Sequence, residues 1–274
     1  MTALDRADVP ARTTSGSRRG ASLVEQLAVL SGRSLRPFLR EPQLLIFTML
    51  QPLITLLLFS QVFSSIAQTP AFPADVSYVD YLLPSLLVTT GLSTGMQSGV
   101  LLIEDARNGL MARFRSLPIS PFSVLGARSV ADTARAALQL PIIVGAGALI
   151  FGFRPGSPAG TAGGLLLTVL VTWSLSWIFL AAAAWLRSPE KMQMIVTLLM
   201  FPLTFASNAY VPAASLPAWL RQISALNPLS YAMDAVRSLV LGPPAPGAIT
   251  GAVLSCLLVA GAGMLLAARG FRRW

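Results

Sequence analysis

The sequence predicts an all-α membrane protein. It reads as six transmembrane helices, an N-terminal interfacial amphipathic helix, a short cytoplasmic helix after the second span and an external re-entrant helix pair before the last. Three observations predict it. Apolar residues make up 54% of the chain and charged residues only 11%, against about 25% charged in an ordinary globular domain. The apolar residues gather in runs close to the ~20 that a helix needs to cross a bilayer. Basic residues are also distributed very unevenly between the segments that separate those runs, as the positive-inside rule expects of a multi-pass protein.

Residues 1–20 are rich in Arg, Ser, Thr and Gly and contain no apolar h-region. They read as a disordered cytoplasmic tail and not as a cleavable signal peptide. Over 21–41 the pattern turns helical. At about 100° per residue, Ser22, Glu25, Gln26, Arg33, Arg36 and Arg40 fall on one arc, opposite Leu23, Leu27, Leu30 and Phe38. Such a helix lies in the membrane plane with Arg33, Arg36 and Arg40 toward anionic headgroups.

Residues 42–274 then form the six-helix domain, with spans at 43–66, 80–103, 129–152, 161–186, 192–210 and 247–268. The third is the least apolar, because Asp132 and Arg135 fall in its first turns. Three residues apart on a helix, these two can pair, and Arg135 can snorkel toward the headgroups. Prolines 52, 84, 141 and 202 fall inside spans, where each removes a backbone donor and favours a kink. Gly91, Gly95 and Gly99 form a small-residue stripe on the second span that lets another helix approach closely. Its partner is either another span of this chain or a span of a second subunit.

Orientation follows from the basic residues. Arg6, Arg12, Arg18, Arg19, Arg33, Arg36 and Arg40 precede the first span, and Arg107, Arg113, Arg115, Arg128 and Arg135 surround the second loop. Arg187 and Lys191, then Arg269, Arg272 and Arg273, complete the set on that side. Only Arg154, Arg221 and Arg237 fall on the other. Both termini are therefore expected in the cytoplasm of a multi-pass plasma-membrane protein.

Two stretches between spans are unlike their surroundings. The first, 104–128, reads EDARNGLMARFRSLPISPFSVLGAR. Leu110, Phe114 and Leu117 recur at helical spacing among Arg107, Arg113 and Arg115, and Pro118 ends the pattern. A helix this short is marginal alone in water, so it is expected to rest on something. The second stretch, 211–242, is too polar for a span. Pro217 ahead of Ala218-Trp219-Leu220 suits a helix start, and Asn227-Pro228 suits a break that begins a second helix. Trp219 and Tyr231 suit a membrane–water boundary. A pair of short helices satisfies its own backbone part way into the bilayer.

Composition excludes several chemistries. With no His and with Cys256 as the one cysteine, there is neither a His base nor a Cys/His metal cluster. Lys191, the one lysine, follows Glu190 and not Gly, so no Walker A loop can cradle ATP phosphates. The chain is read as a non-enzyme without a cofactor or metal of its own. A net charge of +9 suggests nucleic acid, but the Arg residues are interrupted by membrane-length runs and form no continuous basic face. An ion-coupled secondary transporter is the alternative reading. It would need protonatable groups near the midplane, whereas Asp75, Asp80, Glu104, Asp105, Asp132, Glu190 and Asp234 lie at span ends and in loops.

The segment 216–242 resembles the C-terminal signature of type-2 ABC transporter permeases, through Leu216, Pro217, Trp219, Leu220, Asn227, Pro228, Tyr231, Arg237 and Gly242. The loop after the second span is similar to the same family: Glu104, then Gly109-Leu110, then Arg115-Ser116-Leu117-Pro118-Ile119-Ser120. The likeness extends over nearly everything after residue 20, and within the family it is nearest to daunorubicin-resistance-type permeases. It implies an exporter subunit that pairs with a second permease chain, identical or homologous, and with two ATP-binding subunits that hold ATP and Mg. It further implies that the 104–128 loop is a coupling helix seated on the ATPase. Glu104, Gly109, Arg115, Leu117 and Pro118 are carried over to that role, with Arg107 and Phe114 beside them on the same short helix. Family members that move long polysaccharides tend to have aromatic-lined channels. The aromatics here are few and dispersed along the chain, so a hydrophobic drug-like or lipid-like cargo is expected.

Overall fold

In lipid a backbone can satisfy its polar groups only internally, and the described part of the chain obeys this with helices alone. The computed structural model describes residues 42–70, 72–73, 76–108 and 121–271. The expected tail 1–20, the expected interfacial helix 21–41 and residues 109–120 of the 104–128 loop lie outside these residues. Eight α-helices are found among them: α1 (Pro42–Val62), α2 (Tyr78–Arg107), α3 (Pro121–Phe151), α4 (Pro158–Leu186), α5 (Pro189–Phe205), α6 (Ala218–Leu226), α7 (Pro228–Leu241) and α8 (Pro246–Phe271). Short 3-10 turns at Ser64–Gln68 and Ala213–Ser215 complete the order.

Four of these, α2, α3, α4 and α8, are long and apolar enough to cross a membrane. Helix α3 begins at Pro121, eight residues before the expected 129 and inside the expected 104–128 loop, and the other two expected spans also differ from their sequence reading. Helix α1 stops at Val62 and not at 66, giving way to the 3-10 turn. Helix α5 has 17 residues and ends at Phe205, five residues short of the expected 210. The hydroxyl of Ser207 turns back to donate to the Thr204 carbonyl at 2.6 Å and accepts from the Ala209 amide at 3.2 Å. A short polar side chain has here replaced the helical ladder, the usual competition at such residues.

Helix starts follow local chemistry. Ser157, Ser188 and Asn227 each cap the next helix through a side-chain oxygen, and a proline takes the first helical position in all three. Proline suits that position, because its missing N–H would have had no partner. Ser77 likewise caps α2, with Asp80 in the first turn, where a negative charge meets the positive end of the helix dipole. Between α4 and α5 the chain turns on Arg187, whose φ of 54° is left-handed.

Helix α4 is the axle of the bundle, packed against α2, α3, α5, α7 and α8. It can take so many neighbours because small residues bring them close. Gly91, Gly95 and Gly99 of α2 sit on Thr172, Leu175-Ser176 and Phe179 of α4, so the stripe is filled from within this chain. Gly263 of α8 rests against Trp177, and Gly164 of α4 against Val240 of α7. The outer faces stay apolar and uncovered, with Phe47, Leu149, Leu166 and Leu258 all more than two-thirds exposed. Such surface on a chain of this composition faces lipid.

A β-carbon on Gly99 would lie 2.8 Å from the Phe179 carbonyl oxygen, and a backbone atom cannot step aside. Gly99→Leu is therefore expected to cost about 1–3 kcal/mol through overpacking, seen as a drop of several degrees in the melting temperature of the purified protein. Gly145→Ala, with nothing near its β-carbon, should melt like the wild type.

Candidate functional site

The two ends of the bundle carry different chemistry. At the basic end meet the last turn of α2, the first turns of α3 and α5, and the last turns of α4 and α8. Arg107 clasps Glu190 with both guanidinium nitrogens, at 2.8 and 3.1 Å. Asp105 accepts from Arg128 at 3.1 Å. The expected Asp132–Arg135 pair is present at 3.9 Å, and Arg128 approaches the same carboxylate at 3.5 Å. Asp132 is only 2% exposed, so this is a buried carboxylate held by two guanidinium groups, the condition under which burial of a charge is tolerated.

Hydrogen bonds from Arg107 and Ser188 hold the Glu190 carboxyl down at about 2. The carboxylate is therefore charged across the physiological range. Its contribution is present above the ordinary value of 4.5 and is lost only as pH falls through about 2.

Of the residues expected in the coupling element, Glu104 and Arg107 lie on the last turns of α2, Glu104 exposed to solvent. Gly109, Phe114, Arg115, Leu117 and Pro118 lie outside the described residues, as do Arg33, Arg36 and Arg40. What is described is how that segment is bracketed. The Asp105–Arg128 pair joins the helices on either side of it, and Arg107–Glu190 fastens the entry helix to α5.

At the opposite end the expected pair of short helices is found as α6 and α7, and most motif residues have a structural task. Asn227 accepts from the Leu229 amide at 3.0 Å to cap α7. Its amide nitrogen donates to the Leu203 and Ala206 carbonyls at 2.8 and 3.3 Å, acceptors at the end of α5 that the helix itself leaves orphaned. Pro217 is the cap residue of α6 and Pro228 opens α7. The Tyr231 hydroxyl donates to the Ala225 carbonyl at 2.6 Å and ties α7 to α6. Trp219 is well exposed, as a boundary anchor would be. Gly242, with φ 70°, ends α7 in a conformation that favours glycine.

Arg237 is the hub of this end. It donates to Asp234 at 2.9 Å, to the Ser85 hydroxyl at 2.6 Å, and to the carbonyls of Tyr81 and Asn208 at 3.3 and 3.1 Å. Its guanidinium also lies 3.8 Å from the centre of the Tyr81 ring, within cation–π range. One side chain thus joins α7 to α2 and to the turn after α5. Asn208 closes the network by donating to Asp234 at 2.6 Å, while the Tyr81 hydroxyl donates to the Asn208 carbonyl at 2.8 Å. The sequence marked Arg237 but not Ser85, Tyr81 or Asn208, since no local pattern connects them.

Aromatics dispersed along the chain also converge here. Phe201, Phe205, Tyr210, Phe59, Phe63, Tyr78, Phe72 and Tyr81 form an unbroken succession of ring contacts, with centroids 4.4–6.3 Å apart. Their dispersion in sequence is therefore no guide to their arrangement.

Comparison with known proteins agrees with this architecture. The sequence profile of the ABC-2 type transporter family matches residues 25–241. The chain is 31% identical to the daunorubicin resistance ABC transporter permease protein DrrB1 of Streptomyces coeruleorubidus, over 88% of this chain and 81% of that one. It is 29% identical to the putative transport permease ycf38 of Porphyra purpurea, over 78% and 74%. With a probable doxorubicin resistance permease, DrrC, of Mycobacterium tuberculosis it shares 23% identity over 84% and 82%. A profile match spanning both the loop after α2 and the α6–α7 motif, on a bundle of apolar helices, makes this chain a multi-pass membrane protein of the ABC-2 type transporter family.

Proposed function

We propose that the chain is the permease subunit of an ATP-driven exporter, moving a hydrophobic drug-like or lipid-like substrate across the plasma membrane with ATP hydrolysed by a separate subunit. In this reading α1 and α5 join the four long helices as spans, making six, and both termini are cytoplasmic. The α6–α7 pair then dips into the outer leaflet. A second permease chain, identical or homologous, and two ATP-binding subunits complete the transporter. The residues of the 104–128 loop form the contact with the ATPase, and Arg33, Arg36 and Arg40 orient the interfacial helix beside it.

One observation supports the reading most strongly. The family match coincides with a chain that has no Walker A motif but braces its basic loop at both ends with interhelical ion pairs. A loop that receives force is useful only if it is rigidly continuous with spans that move. The resistance-permease names of the relatives make hydrophobic drugs the first cargo class to try.

The test is co-expression with candidate ATP-binding subunits, purification, and reconstitution into vesicles. We expect a stably bound ATPase whose hydrolysis rises at least twofold with transported compound, daunorubicin being tried first. Transport by the isolated chain on an ion gradient alone would overturn the reading.

A further inference from the structure

Midway along α4 and α8 lies a groove of about 200 Å³, bounded by Val171 and Phe179 of α4, Leu203 of α5, Ala232 of α7, and Cys256 and Val259 of α8. Helix α5 packs on α2 and α4, whereas α8 packs on α4, α7 and α3. The groove is the space left between α5 and α8. Its lining is almost wholly apolar, and its two hydroxyls are already engaged. Ser174 donates to the Cys256 carbonyl and Ser255 to the Ala252 carbonyl, each at 2.8 Å.

That arrangement narrows what can fill it. Water needs two to four polar partners to stay in a cavity, and the two lining hydroxyls have already spent their donor hydrogens on backbone carbonyls, which leaves too few partners. For the same reason a ligand with buried hydrogen-bonding groups would leave them unsatisfied. At the rim, Ile178 and Leu199 are 40% and 41% exposed and continue into the exposed Leu254, Leu257 and Leu258 of α8. Halfway along membrane helices, the medium at such a rim is bilayer hydrocarbon. A void there would forfeit dispersion contacts on every wall.

We propose that this groove is a binding site for a phospholipid acyl chain, which lies in the gap between α5 and α8 and supports α5 on that side. The site is independent of what the chain transports. It is tested on the full chain in phosphatidylcholine–phosphatidylglycerol vesicles doped with a phosphatidylcholine that carries a mid-chain diazirine. After illumination, labelled residues are mapped by mass spectrometry. An empty groove would be labelled less than Leu149 and Leu166, because its residues are largely shielded while those two are 89% and 71% exposed. An occupied groove should instead be labelled several-fold more than either. Ala232→Leu and, separately, Val259→Phe fill the space and should cut groove labelling at least threefold while leaving Leu149 unchanged. Wild-type groove labelling at or below that of Leu149 overturns the proposal, whether or not the variants fold. So does groove labelling that persists in a monodisperse filled variant.

Discussion

Arg237→Ala is expected to destabilise the protein by roughly 3 kcal/mol, a fall of about 10 °C in melting temperature at the few degrees per kcal/mol usual for a chain of this size. The side chain is 13% exposed, and its removal takes a donor from the Ser85 hydroxyl and from the Tyr81 and Asn208 carbonyls, of which Asn208 keeps the Tyr81 hydroxyl. Each unmade bond to a shielded polar group costs its desolvation, about 1–3 kcal/mol. Arg237→Lys keeps the charge but loses the planar fork that reaches several acceptors at once, so it should recover less than half of the loss. Asp234→Asn should cost less than Arg237→Ala, because Asp234 is 53% exposed and water can replace part of what it accepts. An Arg237→Ala variant that melts within 2 °C of the wild type would remove Arg237 as the fastener between α7 and α2.

The second large effect concerns the loop that the two ion pairs brace. In the complete transporter, the double substitution of Phe114→Asp and Leu117→Asp is expected to abolish at least nine-tenths of transport, while the ATPase subunits still hydrolyse ATP and the permease still inserts. The apolar positions of a short amphipathic helix are what it can bury against a partner, and a carboxylate there brings desolvation without a pairing cation. Transport and ATPase stimulation are measured on the same vesicles, with membrane insertion checked by extraction. Transport at the wild-type level would show that these residues do not seat on the ATPase.

Elements set by local rules were readable before any coordinates. Of the four long helices, α2, α4 and α8 lie within about four residues of their expected bounds, since an apolar run of that length in lipid has only one economical backbone, and α3 begins eight residues early at Pro121. The Asn227-Pro228 break, the start at Pro217 and the Asp132–Arg135 pair were equally legible, each depending on residues at most four positions apart. The ends of α1 and α5 were not. The 192–210 run is apolar enough to suggest a full span, but the turn at Ser207 and the hold of Asn227 on the end of α5 act through side chains that hydropathy does not count.

By itself the sequence determined that this is a multi-pass bundle of apolar helices, that one loop is basic and amphipathic, and that a polar helix pair precedes the last span. Only the tertiary structure decided that the glycine stripe of α2 is filled by α4, that Arg107 meets Glu190 across 83 residues and Arg237 meets Ser85 across 152, and that eight dispersed rings form one succession. Helix periodicity and capping are properties of neighbours in the chain. Which helix faces which is settled by the packing of all of them together, and one chain read along its length carries no signal for that.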